Sequence, residues 1–504
     1  MIAFNRWLIW THRYVGIPLS VLFVLWFASG IVMMYTGGMP LLTPQERLEG
    51  LPPLALSQVR LTPGEAAAGA GIRAAPRRAT LLTVLGRPAY RFDGATVFAD
   101  TGSVLAPVGS EAARSEASRF SGAPAAAVSH VGLVEQPDQW TIYDRSVLPA
   151  HRFRVDDGEG TEIYVSRQTA EVGMVTTRRE RLLAWLGAIP HWFYLPALRV
   201  DRPLWEAVIV WTSAIGCLIA VTGLLLGLTR FRWRRPVGGE PRVPYAGIMW
   251  WHYVTGAVFG IATLTWVFSG LLSVQPFAWM TVRGLEVPPS ALGGGAPVLT
   301  GFPEIEQAAW ERATGGRPVK EVALRSIDGR PHYEVRLAPG DGAVRRHQPL
   351  LLAAHTLAPR AANVTVEQLV ERLSAVLPDV AVTDAARLEA YDAYYYGRGA
   401  DAPPLPVIRV RFADPLETWI YIDPADLRVA GSVHRYSRLE RWLFNGLHSL
   451  DFAFWYDRRP LWDIGLIVLS LGGLASTGIG LWVGAGRVAR AIRRGLRRSA
   501  TAYN

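Results

Sequence analysis

The sequence predicts a mixed membrane protein: four transmembrane α-helices arranged as two parallel repeats, with α+β modules in two large segments between them. Three observations predict it. Four apolar stretches, residues 7–35, 204–228, 248–274 and 461–483, reach the roughly 20 residues that cross a hydrocarbon core of about 30 Å. The chain also repeats itself. Residues 161–205 lie without a gap on 418–462, an offset of 257, so that Ile163-Tyr164 meets Ile420-Tyr421, Trp185 meets Trp442, His191 meets His448 and Arg202-Pro203-Leu204-Trp205 meets Arg459-Pro460-Leu461-Trp462. An earlier match runs at an offset of 240: Trp10-x-His12-x-x-x-Gly16 meets Trp250-x-His252-x-x-x-Gly256, and Trp26-x-x-Ser29-Gly30 meets Trp266-x-x-Ser269-Gly270. Finally, the segments between the apolar stretches carry short runs that alternate in the manner of strands. The chain reads as a tandem duplication.

Composition agrees. Half of the 504 residues are hydrophobic and 19 are Trp, an amphipathic ring enriched at membrane interfaces. The single Cys, Cys217, falls inside an apolar stretch, so no disulfide forms within one chain. The net charge of +10 is gathered beside apolar stretches, which reads as a topology signal rather than a nucleic-acid surface.

In chain order, residues 1–36 form the first transmembrane helix, a retained signal-anchor rather than a cleaved peptide. Residues 37–200 form the first outer region, 201–229 the second helix, 230–247 a cytoplasmic loop and 248–275 the third helix. Residues 276–458 form the second outer region, 459–484 the fourth helix and 485–504 a basic cytoplasmic tail. Arg6, the run Arg230-Phe231-Arg232-Trp233-Arg234-Arg235, and Arg487, Arg490, Arg493, Arg494, Arg497 and Arg498 place both termini in the cytoplasm. The two long segments then lie outside, which in a Gram-negative cell is the periplasmic side of the inner membrane, and each ends in an amphipathic interfacial stretch, 181–193 and 438–452. Within them, Pro63 opens a short helix, 88–92 pairs with 96–100, residues 305–313 are helical, and 332–337 is a strand. Strand pairs close each region near 151–165 and 407–422. The Pro- and Ala-rich piece 104–127 reads as a linker. The loop Tyr391-Asp392-Ala393-Tyr394-Tyr395-Tyr396-Gly397-Arg398 has no counterpart in the first half; packing and a ligand-facing surface are its two readings.

These residues resemble the PepSY-associated transmembrane proteins, the iron-regulated inner-membrane family that includes ferric-siderophore reductases. The resemblance rests on the His12 and His252 helices, Asp138-Gln139-Trp140-Thr141, Ala393-Tyr394-Tyr395-Tyr396, Thr418-Trp419-Ile420-Tyr421-Ile422-Asp423 and the two units running from His to Arg-Pro-Leu-Trp. It implies PepSY-like modules outside, b-type haem within, and one-electron reduction of ferric chelates on the periplasmic side.

The four repeated histidines fit that implication. His12 and His252 lie one to two turns inside the expected cytoplasmic ends of the first and third helices. His191 and His448 precede the second and fourth by equal intervals, at the outer face. Ionisable groups at membrane depth are costly and usually functional, and two imidazoles are good axial ligands of a six-coordinate haem iron. The economical pairing is His12 with His252 and His191 with His448, two haems stacked across the bilayer. Gly16 and Gly256, one turn further on, would let a porphyrin approach the backbone. Arg13, Arg202 and Arg459 are propionate candidates, and Tyr394, Tyr395, Tyr396 and Arg398 are the substrate-side guess. Direct metal-ion binding and plain packing remain the competing readings. His130, His151, His332, His347, His355 and His434 read as surface residues.

No Cys-x-x-Cys-His occurs, so covalent haem attachment is excluded. No Gly-x-Gly-x-x-Gly opens a helix, so the electron donor is expected to be a cytoplasmic reductant, another protein or a quinol. No catalytic residue is assigned. The leading expectation is a di-haem b oxidoreductase that reduces a ferric siderophore or other Fe(III) chelate, with membrane lipid as its surroundings and no nucleic-acid partner. A permease would show more spans and buried carboxylates. A non-redox envelope regulator would leave the repeated histidines unexplained.

Overall fold

The computed structural model describes residues 2–234, 240–338, 349–360, 364–397 and 402–502; Arg398 and His347 lie outside them. The chain divides into two compact units.

The first unit comprises Met1–Met39, Arg179–Val282 and Leu439–Asn504. It contains four helices, Ile2–Thr36, Arg202–Arg230, Ile248–Leu272 and Leu461–Ala502, each with a stretch long and apolar enough to cross a membrane. The second helix starts where expected because Asp201 caps it, its carboxylate accepting from the Leu204 amide at 3.0 Å. The fourth does not stop at 484. It runs on to Ala502, since Ala and Arg dominate the tail and favour helix. The first and third helices each pack against both the second and the fourth. Lipid offers no hydrophobic drive between helices, so contact relies on small residues that admit large neighbours. Gly473 takes the Phe27 ring and Gly472 the Phe259 ring so closely that a Cβ at either position would collide with it. The interfacial stretches are short helices, Arg178–Leu186 and Ala188–Trp192 in one half, and Arg435–Arg441 and Leu447–Ser449 around a wide π-type turn in the other.

The second unit comprises Pro40–Arg178 and Arg283–Arg438. Its strands are β1 (Ala79–Val84), β2 (Arg87–Phe92), β3 (Ala95–Phe98), β4 (Val128–Val134), β5 (Ala150–Val155), β6 (Glu162–Ser166), β7 (Val172–Thr176), β8 (Val319–Ile327), β9 (Arg330–Leu337), β10 (Leu350–Ala353), β11 (Val382–Leu388), β12 (Val407–Phe412), β13 (Trp419–Ile422) and β14 (Val429–Val433). They form three sheets, ordered β10-β9-β8-β1-β2-β3, β4-β5-β6-β7 and β11-β12-β13-β14. The two four-stranded sheets belong to one chain segment each. The six-stranded sheet does not. β1 pairs antiparallel with β8, Ala79 opposite Leu324 and Leu82 opposite Glu321, so both segments share one sheet and one core around Leu81, Tyr90, Trp310 and Val322. Two self-contained regions had been expected; a long-range strand pairing leaves no local trace in sequence.

Two further expectations are corrected. The piece 104–127 contains a helix, Ser110–Ser121, whose Ala113 and Ala117 are fully buried one turn apart against the β4–β7 core. His151 and His332 are buried, not on the surface. Strand alternation points both inward, where the His151 ring bonds through Nε2 to the Val108 carbonyl at 2.9 Å and lies 3.2 Å from His130.

Candidate functional site: two imidazole pairs

The first unit brings the four repeated histidines together as two pairs. The ring centres of His12 and His252 are 6.2 Å apart with planes at 37°. Those of His191 and His448 are 6.1 Å apart with planes at 76°. Each pair sits at one end of the helices. Seventeen residues separate His12 from Ser29, which touches His191, and the same interval separates His252 from Ser269, which touches His448. At the helical rise this is about 25 Å along the axis.

Every one of the four rings is held through Nδ1. His12 donates to the Ile219 carbonyl at 3.1 Å, and His252 to the Ser476 carbonyl at 3.1 Å. His191 is 3.0 Å from Ser29 Oγ, and His448 is 2.9 Å from Ser269 Oγ. Both hydroxyls have a carbonyl of their own helix to donate to, Ser29 the Leu25 carbonyl at 2.6 Å and Ser269 the Trp266 carbonyl at 3.0 Å. The arrangement in which the serine oxygens accept and all four imidazoles carry their proton on Nδ1 satisfies every one of these groups. Nε2 keeps its lone pair on every ring, and none of the four Nε2 atoms has a hydrogen-bond partner among the described residues.

The supporting contacts recur at the sequence offsets. Ser29 and Ser269 differ by 240, and Ile219 and Ser476 by 257. Trp205 Nε1 donates to the Trp192 carbonyl at 2.8 Å, and Trp462 Nε1 to the Ser449 carbonyl at 2.9 Å, fixing the His191 and His448 turns each to the helix that follows it. Two residues beyond each of those histidines, Phe193 (φ 53°) and Leu450 (φ 50°) take the left-handed conformation that ends the turn. That conformation is uncommon for a large side chain. Gly223 and Gly480, again 257 apart, lie under the His12 and His252 rings; a Cβ there would come within 2.7 Å and 3.0 Å of Cε1.

Sequence reasoning singled out the histidines but missed what holds them. Ser29 and Ser269 stand inside the repeated Trp-x-x-Ser-Gly motif, and Gly223 and Gly480 match at the second offset, so the repeat itself held the signal. Of the other expected site residues, Gly16 faces Ile219 and Gly256 faces Ser476 across helix contacts, each leaving 3.6 Å for a Cβ. Arg202 and Arg459 are exposed and hold the carboxylates one turn on, Glu206 and Asp463. Arg13 lies close enough to Arg487 for the two like charges to repel. In the second unit, Tyr395 is buried, stacks on Tyr421 at 4.6 Å and donates to the Pro404 carbonyl at 2.7 Å. Tyr394 meets Trp419 edge-on at 5.4 Å, and Tyr396 is half-buried. The aromatic loop is largely spent on packing its own sheet.

Chemically, each pair brings two imidazoles with ring centres about 6 Å apart, both tied at Nδ1 and with Nε2 left over. Among the described residues no group of three or more His, Cys, Asp or Glu side chains could hold a bare ion. No family model and no curated protein matches the chain.

Proposed function

We propose that the chain is an inner-membrane di-haem b electron-transfer protein, moving electrons from the cytoplasmic side to an Fe(III) chelate, such as a ferric siderophore, outside. The observation that carries this reading is the facing of the imidazoles. Metal–imidazole bonds of about 2 Å on a straight axis put ring centres about 6 Å apart, and the two pairs stand at 6.2 and 6.1 Å. Two nitrogens from the protein suit a porphyrin, which brings four of its own, better than a bare cation, which would need more protein ligands. Haem bound there would supply a one-electron couple.

The chain's own part is to hold and orient. Bonds at Nδ1 raise the basicity of each ring and fix the tautomer that leaves Nε2 available. The helix contacts at Gly223 and Gly480 make room for the rings, and the apolar cluster of Leu19, Phe23, Phe27, Ile219 and Val267 on the same helices keeps water out. Residues 40–178 and 283–438 would form the outer, acceptor-binding part, and the basic loop and tail would face the donor, whether soluble reductant or quinol. Reduction releases iron because oxygen-rich chelators hold Fe(II) far less tightly than Fe(III). The resemblance to PepSY-associated reductases supports the same reading.

The test is an absorption spectrum of the detergent-purified protein, oxidised and dithionite-reduced, with a pyridine haemochrome count. Two low-spin b-type haems per chain are expected, one lost in His12→Ala and the other in His448→Ala. A protein that purifies without haem and takes none up overturns the proposal.

A further inference from the structure

The same bond is built in two ways. His12 and His252 donate to main-chain carbonyls on the second and fourth helices. His191 and His448 donate to side-chain hydroxyls on the first and third. We infer that Ser29 and Ser269 are positioning residues that lock the tautomer of His191 and His448 and set the reduction potential of that centre independently of the His12–His252 centre. This rests on the haem reading above.

The geometry leaves each serine little freedom. Ser29 and Ser269 are 1% and 0% exposed, so no bulk water competes for their oxygens. Their protons have a carbonyl of their own helix to go to, which leaves an oxygen lone pair as the group the Nδ1–H meets. An acceptor at Nδ1 pushes electron density to Nε2, and a more basic ligand favours the oxidised metal. Removing the hydroxyl therefore makes the centre easier to reduce. A carbonyl of the backbone cannot be removed by substitution, and the Thr222 hydroxyl meets His12 Nδ1 only at 3.5 Å, so Ser29 and Ser269, at 3.0 and 2.9 Å, are the closer side-chain groups and act on the His191–His448 centre. That is a means of adjusting the potential of one end of the path without touching the other.

The experiment is a spectroelectrochemical titration of the full chain in detergent. The wild type, Ser29→Ala, Ser269→Ala and a control, Ser20→Ala, are compared. Ser20 lies on the first helix and donates to the Gly16 carbonyl at 2.6 Å. His448→Ala identifies which couple belongs to the His191–His448 pair. In both Ser29→Ala and Ser269→Ala that couple is expected to move positive by up to tenfold in the ferric/ferrous equilibrium constant, 59 mV for one electron. The other couple should stay put and Ser20→Ala should move neither, so the unmoved couple reports an intact fold within the same molecule. Haem that binds with both couples unmoved, or with both displaced together, overturns the inference while leaving the haem reading standing. A wild-type chain without haem overturns both.

Discussion

At the scale of single residues, the informative positions are those that touch a histidine without resembling a ligand. Gly223 is one. Its missing side chain is required by the His12 ring, which is held against the same helix by the Nδ1 bond to the Ile219 carbonyl one turn earlier and cannot swing away freely. Gly223→Ala should force the ring out of line at a cost of about 1–3 kcal/mol, the usual range for overpacking. On the haem proposal, the expected result is reduced haem retention at the His12–His252 pair with normal bands from the other pair. Gly480→Ala, whose Cβ would sit 3.0 rather than 2.7 Å from its ring, should do the same more mildly. Haem content of the two purified variants checks the order. The histidines themselves were legible because they recur. Their partners were not, because a serine in an apolar helix reads equally well as a residue that bonds its own backbone, which Ser29 and Ser269 also do.

At the scale of elements, the turn between β8 and β9 shows how the second unit ties its parts together. Asp328 sits there at φ 55°, its carboxylate bound by Arg360 at 3.2 Å and by Arg372 on the helix Val366–Val376. Partial burial works against ionisation, but the two guanidiniums outweigh it and hold the carboxyl below its ordinary range. Asp328→Asn keeps a side chain that tolerates the left-handed turn and removes the charge, and should cost about 1 kcal/mol, since the pair is partly exposed. Because the folded-state pKa is depressed, this contribution is complete above the unfolded value of about 4 and is lost as pH falls through the folded one. The gap in thermal midpoint between wild type and variant should thus be open at pH 7 and close in strong acid. Elements of this kind were partly legible. The strands β2, β3, β9, β12 and β13 and the helix Gln307–Thr314 follow from alternation and caps. The helix Ser110–Ser121 did not, because alanines at 113 and 117 supply its buried face and alanine contributes little to an apolar pattern.

At the scale of the whole molecule, two offsets in the sequence reappear as repeated hydrogen bonds, repeated left-handed turns and repeated ring-bearing glycines in the first unit. The second unit obeys a different logic, since its six-stranded sheet needs both segments. A chain of residues 40–178 alone would leave the β1 edge open from Ala79 to Leu82, where β8 belongs. Such an edge invites aggregation. We expect residues 40–178 and 283–438, produced together as separate polypeptides, to co-purify as a one-to-one complex, and each alone to be poorly soluble. Size-exclusion chromatography decides it; two well-behaved monomers that ignore each other would contradict the shared sheet.

That shared sheet also has a bearing on how the protein is made. Ala79 pairs with Phe92 nearby but finds its other partner only at Leu324, and between them lie two helices long and apolar enough to cross a membrane, Arg202–Arg230 and Ile248–Leu272. At a synthesis rate of roughly 5–20 residues per second the early strands wait about 10–50 seconds for the late ones. On the topology proposed above, the nascent first segment spends that interval on the far side of the membrane with an unfinished edge. A cell that lacks the holding chaperones of that compartment should therefore lose this protein sooner than one built of two independently folding halves.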